Sequence, residues 1–432
     1  MYKRSVGERL IVKKGRYLGR KINHRYLFSL SFFSALLNTN DYLKEGRKYK
    51  MLRFLDAGES HGKCLLGIIE GFPAGLSLNE ENINLNLKRR QGGYGRGERM
   101  KIEQDRVEVL SGLVEGKTIG SPLGLMIKNK DWKNWQEKEY PPLTISRPGH
   151  ADFAGVIKYG FKDVRKVLER ASARQTAMRV AIGSVASSLL EEFNIQIYSY
   201  VLRIGQVKAK RIASFTREFK EEINKSPVYC GDGIASIGMC REIDRAREKG
   251  NTLGGVFEVV ISGVPIGLGS YVQWDRRLDA QLASAFMSIP GVKAVEIGEG
   301  IEASEKKGSD VHDEIFIQDK PKSNSSRYYR KTNRAGGIEG GVTNGEEVVI
   351  RAYLKPIPTL INTLHSIDFA TKKETKAIYQ RSDICVVPAA SVVGEAVAAW
   401  EIAAAFLDKF NGDSLLEIKE NYKKYGEKLQ EI

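Results

Sequence analysis

The amino-acid sequence predicts an α+β fold of two related halves, with helices rich in small residues at the centre and β-sheets covering them. Two Ala-rich segments, 173–193 and 389–410, have the length and composition of buried helices, because Ala, Gly and Ser let neighbouring backbones approach closely. Each follows short apolar segments typical of strands, and each is preceded by residues that include Arg and Ser. The alternative is a chance likeness between two Ala-rich helices.

Local patterns predict the elements of the first half. Short apolar runs bounded by turn residues predict strands over 52–57, 64–70, 107–113 and 123–127. Ile83 and Leu87 share one face of a predicted helix over 79–89. Residues 132–142 are predicted to form a surface loop.

The second half shows the same mixture of elements. The pattern predicts strands over 256–262, 292–299 and 347–354, and a helix over 278–287. Residues 200–250 are charged and irregular, so we predict a peripheral insertion there. Residues 304–331 are polar and predict a mobile loop, and the charged tail from Gly412 is predicted to lie at the surface.

The basic charge of the chain is unevenly distributed. The 432 residues carry a formal charge of +15, but residues 1–50 hold 13 Lys and Arg against 3 Asp and Glu, so the remainder carries only +5. The remaining cations cluster beside glycines, which favours a small anionic ligand over a nucleic-acid surface. We therefore expect no nucleic-acid partner.

Cysteine content and hydropathy bear on the location of the protein. The four cysteines form no CxxC pair and no spacing typical of a metal site, which favours a reduced, cytoplasmic compartment and predicts no metal. No uninterrupted apolar run reaches the roughly 18 residues of a membrane span. We expect a soluble protein without a membrane partner.

The first 50 residues form a basic extension before a single domain predicted over 51–432. Their apolar patch at 28–37 lies too far from the start for a secretory signal, and no small-residue cleavage site follows it. A transit peptide is one interpretation. The preferred one is that the natural product begins at Met51, because the strand from Leu52 needs nothing before it.

The stretch 146–174 is the strongest indication of a functional site. It places Arg147, Arg165, Arg170 and Arg174 near His150 and Asp152. Guanidinium groups match the geometry of carboxylates and phosphates, so this group predicts a site for a multiply anionic small molecule. Salt bridges on a solvated helix are the alternative for any single arginine.

Two glycine-rich turns are further candidates. The segment 89–99, RRQGGYGRGER, is either a flexible basic linker or an anion clamp in which glycines admit the ligand and arginines supply charge. It is not a dinucleotide fingerprint, since GxGxxG is absent and no apolar strand precedes it. His61, in the turn GESHG, is either an exposed loop histidine or a catalytic one.

Taken together, the motifs resemble the chorismate synthase family. They are GESHG (58–62), RRQGGYGRGERM (89–100), RPGHAD (147–152), RASARQTAMRVAIG (170–183), WDRRLDAQLASAFMSIP (274–290), NRAGGIEGGVTNGE (333–346), LKPIPTL (354–360) and RSDICVVPA (381–389). They stand in the family's order and cover nearly all of residues 51–410. The resemblance implies two related α+β halves whose central helices lie between antiparallel sheets.

The resemblance also implies an activity. Family members convert 5-enolpyruvylshikimate 3-phosphate to chorismate and phosphate by a 1,4-anti elimination, and they require reduced FMN although no net oxidation occurs. A reduced flavin can lend an electron to expel phosphate and recover it as the ring proton departs. NADPH is implied as a source of reducing equivalents, either directly or through a separate flavin reductase.

Residue roles follow from the matched motifs alone. His61 matches the acid near the leaving phosphate, His150 matches the residue that protonates the flavin, and Asp383 matches the residue that helps remove the ring proton. The arginines that match the substrate cluster are Arg90, Arg96, Arg99, Arg147, Arg174 and Arg381. The positions that match cofactor contacts are Arg90, Arg96, Arg170, Ala171, Ser172, Gly340, Lys355, Pro356, Ile357, Pro358, Thr359 and Arg381.

Some positions depart from the family pattern. Many members have Ser-Ile-Asn-Ala where this chain has Ser288-Ile289-Pro290-Gly291, so an Asn contact to flavin is missing and Pro290 removes a backbone donor. Ala171 stands where some members have Ser. The resemblance further implies a homotetramer.

Two other classes of function compete with the enzyme. A non-catalytic flavin-binding or phosphate-binding protein on the same scaffold would need none of His61, His150 and Asp383, so the presence of all three disfavours it. A nucleic-acid binder is disfavoured by the low charge of residues 51–432 and the lack of interleaved aromatic and basic residues.

Overall fold

The strands divide between two larger sheets and several two-stranded ribbons. The computed structural model describes residues 52–97, 104–135, 140–211, 217–318, 327–379 and 382–431. In chain order the strands are β1 (Arg53–Ala57), β2 (Cys64–Glu70), β3 (Val107–Ser111), β4 (Leu113–Val114), β5 (Lys117–Thr118), β6 (Leu123–Lys128), β7 (Gln196–Ile204), β8 (Val207–Lys208), β9 (Gly255–Ser262), β10 (Val292–Ile297), β11 (Ile315–Ile317), β12 (Tyr328–Arg330), β13 (Ile338–Glu339), β14 (Val342–Thr343), β15 (Val348–Leu354), β16 (His365–Asp368) and β17 (Lys373–Lys376).

The helices include two Ala-rich ones at the centre and others that surround them. They are α1 (Glu80–Gln91), α2 (Trp132–Trp135), α3 (Asp152–Tyr159), α4 (Arg165–Ala171), α5 (Thr176–Glu191), α6 (Arg217–Lys225), α7 (Gly233–Glu248), α8 (Leu278–Met287), α9 (Gly300–Ala303), α10 (Gly308–Val311), α11 (Val387–Lys409) and α12 (Leu415–Glu431). A 3-10 turn, Ala173–Gln175, leads directly into α5.

The first half contains a four-stranded antiparallel sheet in the order β1-β2-β6-β3. Its inner side chains, such as Leu65 and Ile69, are buried. Gly67 also faces inward, where an added Cβ would lie 2.6 Å from Sδ of Met178 on α5. The backbone of β2 therefore packs directly on the first central helix.

The second half contains a five-stranded antiparallel sheet in the order β10-β15-β9-β7-β8. Phe257 and Val259 of β9 approach Gly394 of α11, where a Cβ would lie 2.5 Å from the Phe257 ring. This second central helix is nearly all buried, with Ala398, Ala399 and their neighbours fully inside the core.

The two central helices touch at a point where only small residues fit. A Cβ on Gly183 of α5 would lie 2.4 Å from the carbonyl oxygen of Ala396 on α11. Real Cβ atoms do not approach so closely, so Gly183 is required by this helix crossing. Two Ala-rich helices packed together between two antiparallel sheets confirm the predicted fold class.

The hydrophobicity of α11 is explained by its position in the core. Its 23 residues are long and apolar enough to cross a membrane by length and composition, although charged residues interrupt the run. Of its most apolar window, 89% is buried inside the protein. The two sheets and α5 therefore account for its composition without a membrane.

The tail from Gly412 lies mostly at the surface, as predicted, although its helix α12 buries Ile418. Three of the other predictions are wrong in detail. Residues 200–250 are not a peripheral insertion, because β7 enters the core of the second sheet, with Val201 fully buried, and α7 follows. Within the predicted loop 304–331, α10 and paired strands β11 and β12 form. The predicted loop 132–142 begins with α2.

Candidate active site

The buried centre of the candidate site is a carboxylate that holds two arginines. The side chain of Asp105 has no exposed surface, and its two oxygens accept hydrogen bonds from Nη1 of Arg174 at 2.6 and 2.7 Å. Its Oδ2 also lies 3.7 Å from Nη1 of Arg90. Two guanidinium groups thus share one carboxylate, and the excess positive charge favours an anionic ligand.

Arg90 is attached to the start of the first central helix. It lies in the last turn of α1, and its Nε and Nη2 donate to Oγ1 of Thr176 at 2.9 Å and to the carbonyl of Ala173 at 2.8 Å. Burial lowers the pKa of Arg90 to about 10, with the Arg96 and Arg174 charges acting in the same direction against Asp105. Arg90 is therefore still a cation at neutral pH.

Arg96 reaches the predicted base, Asp383. Its Nη1 lies 3.2 Å from Oδ2 of Asp383, and the Gly97 N–H donates to Oδ1 at 2.6 Å. The loop passes so close to the 383–385 segment that a Cβ on Gly95 would lie 3.3 Å from the amide nitrogen of Cys385. In its described part, 92–97, this loop is packed against the second half and is not a free linker.

The side chain of His61 is held on two sides. Its Nδ1 lies 2.7 Å from Oε1 of Glu169, and its backbone N–H donates to Oε2 of the same residue at 2.8 Å. The ring of Trp135 lies 4.1 Å away, centroid to centroid. With a side chain only 10% exposed, His61 is not the solvated loop histidine of the alternative interpretation.

Asn129 connects the turn of His61 to the arginines. Its Nδ2 donates to the carbonyls of Glu59 and Gly62 at 3.1 and 2.7 Å, and its Oδ1 accepts from Nε of Arg174 at 2.9 Å. Beside this connection, a cavity of about 640 Å³ is lined by His61, Trp135 and their neighbours. His61 and Arg174 therefore belong to one hydrogen-bonded group that borders an open cavity.

A second group forms around Asp152, the first residue of α3. Oδ2 of Asp152 accepts from N and Nε of Arg147 at 3.0 and 2.8 Å, and Oδ1 accepts from Nη2 of Arg147 at 3.1 Å and contacts Nδ1 of His150. Burial acts to raise the pKa of Asp152, but hydrogen bonds from His150 and Arg147 outweigh it and lower the pKa to about 2. Asp152 is therefore a permanent anion that orients both side chains.

The predicted flavin segment 355–359 lies against this second group. Nη1 of Arg147 donates to Oγ1 of Thr359 at 3.4 Å, and Nζ of Lys355 donates to the carbonyl of Gly149. Gly149 has φ +79°, and a Cβ there would lie 3.5 Å from Pro358. Two cations and a hydroxyl group are thus presented together, a donor set that suits a phosphate.

Arg170, Ala171 and Ser172 join the first group. Arg170 donates to the carbonyl of Gly58 and to Oδ1 of Asp56, both at 3.1 Å, and so holds the turn of His61. Ala171 ends α4, and Oγ of Ser172 accepts from the Arg174 N–H at 3.3 Å.

The remaining predicted positions divide into three cases. Pro356 and Ile357 continue the segment after Lys355, and the carbonyl of Ile357 accepts from Oγ1 of Thr252 at 2.7 Å. Gly340 turns the β13–β14 hairpin at φ +61° with open space where a Cβ would stand, and none of the described contacts joins it to either group. Arg99 and Arg381 lie outside the described residues.

The departure at Pro290-Gly291 lies beside the predicted flavin segment. The carbonyl of Gly291 accepts a hydrogen bond from the Lys355 N–H at 2.9 Å, and Gly291 has φ +92°. The substitution that distinguishes this chain from the family pattern therefore contacts the first residue of segment 355–359.

Sequence reasoning missed the residues that hold the predicted ones in place. Asp105, Asn129 and Glu169 each bind a predicted arginine or histidine, but the sequence patterns indicate only the cations and the motif histidines. Glu169 could have been found from its position, since it directly precedes Arg170 within the stretch 146–174. The contacts of Asp105 depend on packing that no local pattern reveals.

The fold and these two groups define an α+β protein with a cluster of arginines whose charge and geometry suit an anionic small molecule. Comparisons with known proteins then identify the family. The chorismate synthase family model matches residues 52–407. The chain therefore belongs to the chorismate synthase family.

Relatives and a solved structure agree with this assignment. Chorismate synthase of Geotalea daltonii is 55% identical over 391 residues, covering 88% of this chain and 100% of the relative. Chorismate synthase of Geobacter metallireducens is 54% identical, covering 87% of this chain and 98% of the relative. A crystal structure of chorismate synthase superimposes with a TM-score of 0.72 at 42% identity, covering 88% of this chain and 99% of that one.

Proposed function

We propose that this protein is a lyase that converts 5-enolpyruvylshikimate 3-phosphate to chorismate and phosphate. Family membership supports the proposal, and so does the naming of its relatives as chorismate synthases. The observation that carries it is the contact between Arg96 and Asp383 at 3.2 Å, which joins a carboxylate base to the arginine group. Such an arrangement suits the removal of a proton from a multiply anionic substrate.

The arginines account for the charges of the substrate. Two carboxylates and a phosphate require several cations, and we assign Arg90, Arg96, Arg174 and Arg147 to them. Guanidinium forks held by Asp105 and Asp152 are already oriented, which reduces the entropy lost when the anion binds. Arg99 and Arg381 complete the proposed set.

Protons move between the substrate and three side chains. The ring C–O bond breaks with its electron pair on the departing phosphate, which receives a proton from Nε2 of His61. Asp383 helps remove the ring proton, and the electrons of that C–H bond form the new double bond. We assign His150, whose ring contacts Asp152, the role of carrying a proton next to the cofactor.

Reduced FMN is the proposed cofactor, and the side chains present fit it. Lys355, Arg147 and Thr359 offer hydrogen-bond donors for the FMN phosphate. At the β13–β14 turn, Gly340 leaves open space beside the backbone. We assign Arg90, Arg96, Arg170, Ala171, Ser172, Arg381 and the segment 355–359 to the same site. The bound flavin would supply an electron for the elimination and recover it, so that no net oxidation results.

The alternative is a flavin-binding or phosphate-binding protein without catalysis. Such a protein would need the arginines to bind its ligand, but it would not need a carboxylate in contact with each histidine ring. In the described structure His61 contacts Glu169 and His150 contacts Asp152. These pairs favour the enzyme over the binding protein.

Self-association is proposed as well, as a cytoplasmic homotetramer. On the outer face of the first sheet Leu55, Leu66 and Ile68 are 71%, 40% and 53% exposed. Leu55 pairs with Ile68 across β1 and β2, so these side chains form one apolar patch. Ion pairs Arg53–Glu70 and Lys128–Glu108 border it and leave its rim without net charge. Such a neutral, apolar face suits a second copy of the chain.

An anaerobic assay tests the proposed function. Purified protein receives 5-enolpyruvylshikimate 3-phosphate and FMN, with either dithionite or NADPH as the only reductant, and chorismate is followed by absorbance. Turnover with dithionite alone would mean that a separate flavin reductase is the partner, whereas turnover with NADPH alone would mean that the protein reduces its own flavin. Flavin binding without turnover under either condition would overturn the lyase in favour of the binding protein.

A further inference from the structure

Glu169 makes three hydrogen bonds to two consecutive residues of the GESHG turn. Its carbonyl accepts from the Ser60 N–H at 2.9 Å, its Oε2 accepts from the His61 N–H at 2.8 Å, and its Oε1 lies 2.7 Å from Nδ1 of His61. The first two bonds hold the backbone of the turn. The third bond reaches the ring itself.

The contact at Nδ1 determines which ring nitrogen carries a proton. An ionised carboxylate only accepts hydrogen bonds, so Nδ1 must be the donor. The other nitrogen, Nε2, is then the atom available for proton transfer to a ligand. The ring of Trp135, 4.1 Å away, restricts rotation of the imidazole about this bond.

The two histidine–carboxylate pairs of the site differ in their geometry. Asp152 accepts three hydrogen bonds from Arg147 in addition to its contact with His150. Glu169 contacts His61 twice, with one carboxylate oxygen at the ring and the other at the backbone N–H. The carboxylate of Glu169 therefore fixes the imidazole relative to its own backbone.

We propose that Glu169 is a positioning residue for His61, holding the imidazole with a proton on Nδ1 and leaving Nε2 as the atom that donates a proton. This inference rests on the proposed function, in which His61 is the acid for the leaving phosphate. When the C–O bond breaks, the electron pair stays on phosphate, the Nε2 proton moves to it, and neutral His61 keeps its Nδ1–H bond to Glu169.

A double-mutant cycle tests whether Glu169 acts through His61. In the wild-type background, Glu169→Gln should lower kcat by about 10- to 100-fold, because the ring loses its counter-charge. In the His61→Ala background the same change should alter kcat less than about twofold, since no ring remains to be positioned. Equal losses in both backgrounds would overturn the inference and indicate a structural role.

A conservative variant separates a positioning role from a purely structural one. Glu169→Asp keeps the carboxylate at a greater distance from Nδ1, so it should recover part of the kcat that Glu169→Gln loses. Glu222→Gln, in the exposed helical ion pair with Lys225, is the matched control and should leave the rate unchanged.

Binding without turnover provides a second readout. The affinity for 5-enolpyruvylshikimate 3-phosphate in the presence of oxidised FMN should change less than about threefold in Glu169→Gln, because the loss concerns proton transfer. A wild-type kcat in Glu169→Gln, or a loss confined to affinity, would overturn the inference. Wild-type turnover in His61→Ala would instead overturn the assigned acid, so the two failures are distinguishable.

Discussion

Asp105 and Arg174 are 69 residues apart in the sequence, yet both carboxylate oxygens of Asp105 lie within 2.7 Å of Nη1 of Arg174. Because Arg90 approaches the same carboxylate from α1, one buried anion sets the direction of two guanidinium groups. The cationic side of the site is therefore formed before any ligand enters.

Replacing Asp105 by Asn should weaken substrate binding and stability together. The amide cannot balance two buried cations, and breaking a buried ion pair costs about 3 kcal/mol of unfolding free energy. We expect KM for 5-enolpyruvylshikimate 3-phosphate to rise at least about tenfold as the arginines reorient. Urea denaturation and steady-state kinetics measure both effects. Glu81→Gln, in the exposed pair with Arg106, is the control, and an unchanged KM in Asp105→Asn would refute the prediction.

Asp383→Asn should fold and bind FMN, yet lose most turnover. The amide can still accept from the Gly97 N–H, so the loop contact survives, but it cannot take a proton. We expect kcat to fall about 10²- to 10⁴-fold, with FMN affinity measured by flavin fluorescence unchanged. Asp310→Asn, on an exposed surface helix, should behave as wild type. Normal turnover in Asp383→Asn would remove this residue from the mechanism.

The low pKa of Asp152 predicts how stability depends on pH. Its pKa is about 2 in the folded protein against an ordinary 3.8. The stabilisation is therefore present above about pH 4 and disappears as pH falls through 2, where the folded state also becomes protonated. This difference in pKa corresponds to about 2 kcal/mol of unfolding free energy. Urea denaturation between pH 2 and 5 measures this effect. The unfolding free energy should change less with pH in Asp152→Asn than in the wild type. An equal change in both proteins would contradict the assignment.

The outer face of the first sheet predicts the oligomeric state. The double substitution Leu66→Glu with Ile68→Glu places charges in the centre of the apolar patch and should dissociate the proposed tetramer. Light scattering should then report a smaller mass. Ile234→Glu with Ile237→Glu, on exposed positions of α7, is the matched control and should keep the wild-type mass. A wild-type mass in the sheet variant would show that the interface lies elsewhere on the protein.

Deletion of residues 1–50 should leave catalysis intact. The family match begins at residue 52, and the full length of the Geotalea daltonii relative aligns with 88% of this chain. Turnover and thermal unfolding of the shortened protein measure the effect. Loss of solubility or activity would show that the extension contributes to the fold.

Local sequence patterns predicted elements whose signals are self-contained. The helix Leu278–Met287 and the strand Cys64–Glu70 have their predicted bounds, because periodicity and flanking turn residues specify them. Strand β7 was missed because its apolar residues adjoin a charged stretch, and the average composition of 200–250 concealed it. Likewise α12 buries only Ile418 and Gly426 among many charges, with Tyr422 partly buried, so its apolar face gives a weak sequence signal.

The candidate site was predicted unevenly for a similar reason. Motif residues such as His61 and Asp383 are recognisable from their neighbours in the sequence. Their partners Glu169 and Arg96 are 108 and 287 positions away, and only tertiary packing brings them together. Side chains that position others carry no local signal, because their role is defined by a contact.

The crossing of α5 and α11 at Gly183 and Ala396 also limits how the molecule can move. With backbone against backbone and no side chain to repack, the helices cannot slide past each other without opening the core. Adjustment to a ligand is thus confined to the turns and segments around the site, such as the GESHG turn and residues 355–359. The amide hydrogens of α5 and α11 should exchange with solvent only through global unfolding, whereas those around His61 and Lys355 should exchange through small local openings.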